Sequence, residues 1–102
     1  MGKFSMKLHE SGTWNVLAVC DTELVGTTLE DTTLGVSVSV SSNFYGGGEF
    51  DQAIVIEAIK TSNNVNLLGK RIIELAVKEG LVDNSNVMKI GDCFHAQIYS
   101  LE

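Results

Sequence analysis

No stretch of this sequence approaches the run of ~20 apolar residues that a membrane-spanning helix needs. Proline is absent altogether, and that absence carries no functional reading. Cysteine is scarce: Cys20 and Cys93 stand far apart in sequence. They permit a disulfide, but a reduced, packed thiol is the usual cytosolic state. Cations are also few, seven Lys and Arg against thirteen Asp and Glu, for a net charge of −6. That balance argues against free-standing, sequence-independent binding to nucleic acid, whose affinity comes largely from phosphate neutralisation. A local basic patch remains open. The opening MGKFSMKLHESG alternates and lacks the apolar core of a signal peptide. Met6 occupies the position where a myristoylation motif wants Ser or Thr. The expectation is a cytoplasmic protein with no membrane partner.

What is present suits one globular domain over residues 1–102. That length is enough to bury a core without staples. The hydrophobic fraction is 44% and the mean hydropathy is +0.15, which excludes a disordered chain. There are no internal repeats, linkers or low-complexity segments.

Phe4, Met6 and Leu8 alternate with polar residues, which predicts a strand with one buried face. After a turn at Ser11–Thr13, Asn15–Cys20 is apolar on both faces and belongs at the centre of a sheet. A three-residue turn sets Leu8 opposite Val16, Met6 opposite Ala18 and Phe4 opposite Cys20. Asp21–Thr33 reads as irregular, with a short strand at Thr27–Leu29. Gly35–Ser41 alternates valine and serine, a strand with one wet face and a candidate sheet edge. Asn43–Phe50 is a glycine-rich joint. Asp51–Thr61 follows as a helix that buries Ile54, Val55, Ala58 and Ile59, with Asp51 as its cap. Asn64 is the expected cap of a second helix, Val65–Gly80. Its stripe is Val65, Leu68, Ile72, Leu75 and Ala76, and its polar face holds Lys70, Arg71, Glu74 and Lys78. Gly69 lies on the apolar side, which implies a close approach by the first helix or a strand. Gly80 ends the helix. Val87–Ile90 and Phe94–Leu101 form a last hairpin through Gly91-Asp92. Phe94, Ala96 and Ile98 point one way along it; Cys93, His95, Gln97 and Tyr99 point the other.

Four pieces in this order resemble an archaeal family of unknown activity, domain of unknown function 424. They are the opening hairpin ending near VLAVCDTELVG, the joint NFYGG, the segment NLLGKRIIELAVKEGLVD and the terminal IGD–HAQIY hairpin. The resemblance covers nearly the whole chain. It implies an archaeal, cytosolic role in information processing, around translation. It assigns no catalytic residue and no cofactor.

Each chemical constellation has a plainer structural counterpart. His9, Cys20, Cys93 and His95 are a zinc inventory, but the pairing above separates Cys20 from His9 by roughly 16 Å. The counterpart is a buried Cys20 and an ordinary, partly exposed histidine. Gly46-Gly47-Gly48 precedes a helix, where backbone amides can hold an anion. It lacks the Lys-Ser/Thr of a phosphate loop, and Glu49 and Asp51 would repel phosphate. The counterpart is a strand-to-helix bend in which Phe44 and Tyr45 pack. Cys93 and His95 share a strand face without an orienting acid or an oxyanion loop. His95, Gln97 and Tyr99 form either a solvated face or a recognition surface, with Tyr99 placed for stacking. Lys70, Arg71 and Lys78 are a solvated helix face or the one place where an acidic protein touches phosphate.

The sequence therefore predicts an α+β domain, a mostly antiparallel sheet of about five strands with two helices packed on one side. The functional expectation is a non-enzymatic binding module acting with RNA or a ribonucleoprotein. Its contacts come from Lys70, Arg71 and Lys78 or from His95, Gln97 and Tyr99. The rival is an enzyme or small-ligand protein using Tyr45, Gly46, Gly47 and Gly48 with His95. A third reading is a structural homodimer joined along GVSVSVS. No cofactor or metal is expected.

Overall fold

The computed structural model describes residues 3–99; the expected strand end at Leu101 lies outside the described residues. The N-terminal alternation forms β1 (Phe4–Ser11) and β2 (Trp14–Asp21). There follow β3 (Thr28–Asp31), β4 (Val36–Ser39), α1 (Ser42–Tyr45), β5 (Glu49–Phe50) and α2 (Gln52–Lys60). The chain ends with β6 (Asn64–Leu68), α3 (Lys70–Lys78), β7 (Met88–Ile90) and β8 (Cys93–Tyr99). Among the described residues, six strands make one sheet in the order β5-β1-β2-β6-β8-β7, and β3 with β4 makes a separate ribbon. Every pairing is antiparallel except β2 with β6. Among the described residues, no helix is long and apolar enough to cross a membrane. The expected α+β class holds, with one more strand in the sheet than expected and an additional four-residue helix.

The two faces of the sheet close differently. Leu17, Val19, Val65, Leu67 and Ala96 meet Val55 and Ile59 of α2 and Ile72, Ile73, Leu75 and Ala76 of α3 in the larger core. Ala18, Cys20 and Leu68 point the other way and meet Val40 and Tyr45, with Phe44 and Leu29 at the margin. The central strands are thus buried on both sides, as the unbroken apolar run of β2 requires.

Four expectations change. The opening hairpin has the two-residue turn Gly12-Thr13, so Leu8 faces Leu17, Met6 faces Val19 and Phe4 faces Asp21. This one-residue slip keeps Phe4 and Met6 on the α2–α3 side, and it sends Asp21, instead of Cys20, to that side. Ile54 is 53% exposed, because α2 turns only Val55 and Ile59 fully inward. Asp51 sits at the helix start without a side-chain cap bond and instead lies 3.7 Å from Lys3 Nζ.

The largest change falls on Val65–Gly80, which is a strand, a glycine and a helix. Asn64–Leu68 alternates amide and apolar side chains, and Leu67 is fully buried on the side opposite Leu68. A helix with the expected stripe would have left Leu67 outside it. Gly69 ends the strand at φ 132° and ψ 153°, a conformation essentially confined to glycine. A Cβ there would lie 2.6 Å from Asp21 Oδ2. The close approach expected at Gly69 is therefore real, but its partner is a carboxylate.

Candidate functional site

The Gly69 turn brings the end of β2 to the start of α3. Asp21 is buried, and its carboxylate accepts hydrogen bonds from the backbone N–H of Arg71 at 3.0 Å and Ile72 at 2.9 Å. It caps the helix from 50 residues away in sequence, where the orphan N–H groups and the positive helix end both favour a carboxylate. Burial nevertheless raises its pKa, outweighing the two backbone bonds and nearby Arg71. Gly69 carries no side chain that could cap, so the cap has to come from another element.

Arg71 is equally occupied. Its Nε donates to Glu23 Oε2 at 2.9 Å, and a terminal nitrogen donates to Glu23 Oε1 at 2.6 Å and to Lys3 O at 2.9 Å. The guanidinium lies 4.7 Å from the centre of the Phe4 ring. The bond to Arg71 holds the Glu23 carboxyl below its ordinary range. Arg71 is thus a strut between β1, the turn after β2 and α3. Lys70 and Lys78 remain exposed and rim a groove floored by Ile73, Val77, Val87 and Phe94. The three cations are not one free face.

On the side of the sheet away from α2 and α3, the register stacks Asn64 with Tyr99, Asn66 with Gln97, and Leu68 with His95. Met88 of β7 faces His95. Tyr45 Oη donates to Asn66 Oδ1 at 2.5 Å, Asn66 Nδ2 donates to Gln97 Oε1 at 3.2 Å, and Gln97 Nε2 donates to Asn64 Oδ1 at 2.5 Å. This ladder crosses from α1 over β6 to β8 and back. It ends on Asn64 Nδ2, which has no acceptor among the described residues. Large apolar and aromatic side chains flank it: Trp14 is 54%, Met88 59% and Tyr99 68% exposed. Trp14 shares the face by strand alternation and stands about 12 Å from Tyr99, two strands across and two residues along. Burial lowers the pKa of His95, so its ring is neutral at pH 7, with one nitrogen donating and the other accepting.

The glycine joint is filled. Gly46 leaves no room for a Cβ, which would meet Ser42 O at 2.5 Å. A Cβ on Gly47 would meet the backbone of Met6 and Lys7, with Lys7 Cα at 2.8 Å. Tyr45 is buried, and burial pushes its phenol pKa up. Gly47 lies over β1, and His95 lies three strands away on β8, about 14 Å at ordinary strand spacing. Tyr45, Gly47 and His95 therefore do not share one pocket. Cys20 is buried with its pKa pushed up to about 12, first by burial and then by Asp21. Burial raises Cys93 as well. His9 donates Nε2–H to Phe44 O at 2.7 Å and stacks on the Phe44 ring. Among the described residues, no three His, Cys, Asp or Glu side chains converge on a metal position.

Of the residues expected on the open face, Gln97 and Tyr99 are exposed and His95 is half-buried beside them. Trp14, Asn64 and Asn66 join them, and the sequence reading missed all three. For the two asparagines the signal is the alternation Asn64-Val65-Asn66-Leu67, which marks a strand with a polar face. Taken with the fold, these residues define a small α+β protein whose sheet is closed by helices on one side and half open on the other. The chain belongs to the family described as "Protein of unknown function (DUF424)", whose model matches residues 9–101. It is similar in structure to an uncharacterized conserved protein from Methanopyrus kandleri. That crystal structure aligns with a TM-score of 0.76 and 25% sequence identity, covering 98% of this chain and 95% of that one. No curated protein matches.

Proposed function

We propose that this chain is a non-enzymatic binding module that contacts single-stranded RNA within an RNA–protein assembly, such as the translation apparatus. The open half of the sheet is the contact surface. The observation that carries the reading is the ladder from buried Tyr45 through Asn66 and Gln97 to Asn64, which surfaces on the open face beside exposed Tyr99 and Trp14. Unstacked bases are taken up by such faces through stacking on aromatic rings and hydrogen bonds to base edges, and amides both donate and accept. The neutral His95 adds a further donor and acceptor. The raised cysteine pKa values and the filled glycine joint support binding over catalysis.

Electrostatics shape the reading. The chain carries −6, and Arg71 is spent on Glu23. Phosphate neutralisation is therefore a small part of the affinity, and binding falls only shallowly with salt. An acidic module also suits an assembly whose protein components are basic. Tagged protein from native cells should co-sediment with RNA-containing particles on a gradient. The paired substitution Tyr99→Ala and Gln97→Ala should send it to the top. Wild-type protein migrating freely at low salt would overturn the proposal. Arg71→Glu is unsuitable as a test, because it removes the strut to Glu23 and Phe4.

A further inference from the structure

The ribbon β3–β4 has one edge whose backbone groups find no hydrogen-bond partner among the described residues. Val40 N–H donates to Thr27 O at 2.8 Å. Antiparallel alternation then turns the backbone groups of Val38 and Val36 toward β3, where they face Leu29 and Asp31. The N–H and C=O of Ser37 and Ser39 point outward. Neither N–H has an acceptor among the described residues, and both side chains are exposed. The far edge of β3 is engaged: Gly91 N–H donates to Asp31 Oδ2 at 2.8 Å, and a Cβ on Gly91 would lie 2.5 Å from Glu30 O. The free edge therefore belongs to β4.

Free strand edges are normally blunted by charge, proline or a bulge. This one has no such defence. Leu34–Asn43 holds no charged residue, and the chain holds no proline. Leu34 is 56% and Val36 42% exposed beside it. The run Val36-Ser37-Val38-Ser39-Val40 also reads the same in both directions. An antiparallel pairing of two identical copies about Val38 sets serine against serine and valine against valine, the self-complementarity that a twofold interface requires. We propose that two copies of this chain associate through β4, with Ser37 of one copy opposite Ser39 of the other. The two ribbons then merge into a four-stranded sheet joined by four main-chain hydrogen bonds. No like charges meet at the seam, although each copy carries −6. Salt therefore strengthens the association by screening the repulsion between copies.

The contact is short, so the expected dissociation constant lies in the range of tens to hundreds of micromolar, typical of small, wet interfaces. Sedimentation equilibrium across protein concentration tests it. The wild type should shift from monomer to dimer as concentration rises, and further at higher salt. Ser39→Pro deletes an outward donor that makes no bond within the ribbon, so it should weaken association at least about tenfold with the thermal midpoint unchanged. Ser37→Lys keeps the backbone intact and should weaken it similarly by adding charge to the seam, and it decides the matter if Ser39→Pro unfolds. A wild type that remains monomeric at about millimolar concentration, or a dimer that Ser37→Lys leaves undiminished, overturns the proposal.

Discussion

The two sides of β6 and β8 differ in how their side chains are used. Toward α2 and α3, Val65, Leu67 and Ala96 vanish into an aliphatic core, and burial is worth roughly 1.5–3 kcal/mol for Val65 and Leu67 and about 0.8 kcal/mol for the Ala96 methyl. Toward the open side, Tyr45, Asn66, Gln97 and Asn64 make a chain of hydrogen bonds, with Tyr99 exposed beside it. A polar ladder on an exposed face adds little to stability, because water serves nearly as well as the protein partners. Under the proposed function, stability and recognition are divided between the two sides of the same strands. A substitution on one side should act on folding, and a substitution on the other should act on binding.

The sharpest way to break the closed side is Gly69→Ala. It places a Cβ against the buried Asp21 carboxylate at a φ that side chains rarely adopt, and it should cost on the order of 3 kcal/mol or more. Urea unfolding followed by circular dichroism measures this. Asp21→Ala keeps the backbone but strands two N–H groups at the start of α3, and the expected loss is about 2 kcal/mol in the same assay. Arg71→Ala removes a partly exposed ion pair and the contact with Phe4, for about 1 kcal/mol. On the open side, Gln97→Ala should change the unfolding midpoint least and reduce RNA binding most. A loss of stability as large as that of Asp21→Ala would erase the division.

Acid separates two carboxylates that hold the fold together. The Gly91 and Leu34 N–H groups bonded to Asp31 hold its pKa below the ordinary value. Its stabilising contribution is present above the unfolded pKa of about 3.9 and is lost as pH falls through the lower, folded value. Asp21 is shifted the other way by burial. Its contribution is complete below the unfolded value and declines as pH rises through the folded one. Asp31→Asn should therefore flatten the fall in thermal midpoint on the acid side, whereas Asp21→Asn should steepen it.

Much of this arrangement was legible in the residues. The alternation of β8 announces its inward face and the run of β2 announces burial on both sides; along β1 the alternation holds for Phe4 and Met6, but Leu8 at the strand's far end is 51% exposed and Ser5 is buried. The helix over Lys70–Lys78 was legible, but its start was not, because Val65, Leu68 and Ile72 satisfy helical spacing while Val65 and Leu67 satisfy strand spacing. The arbiter is the conformation of Gly69, and Asp21, remote in sequence, dictates it. Asn64 and Asn66 were hidden by the same ambiguity: in a helix they belong to an end, and in a strand they belong to a face. The role of Arg71 depended on Glu23 and Phe4, which no local pattern connects to it.

Trp14 is the single tryptophan of the chain and stands on the open face. Its fluorescence therefore reports on that surface directly. Titration with single-stranded RNA should quench it saturably, with a shallow dependence on salt. The Tyr99→Ala and Gln97→Ala pair should abolish the quenching while the unfolding midpoint holds. Trp14 emission that stays unchanged throughout the wild-type titration would contradict the assignment of this face to RNA.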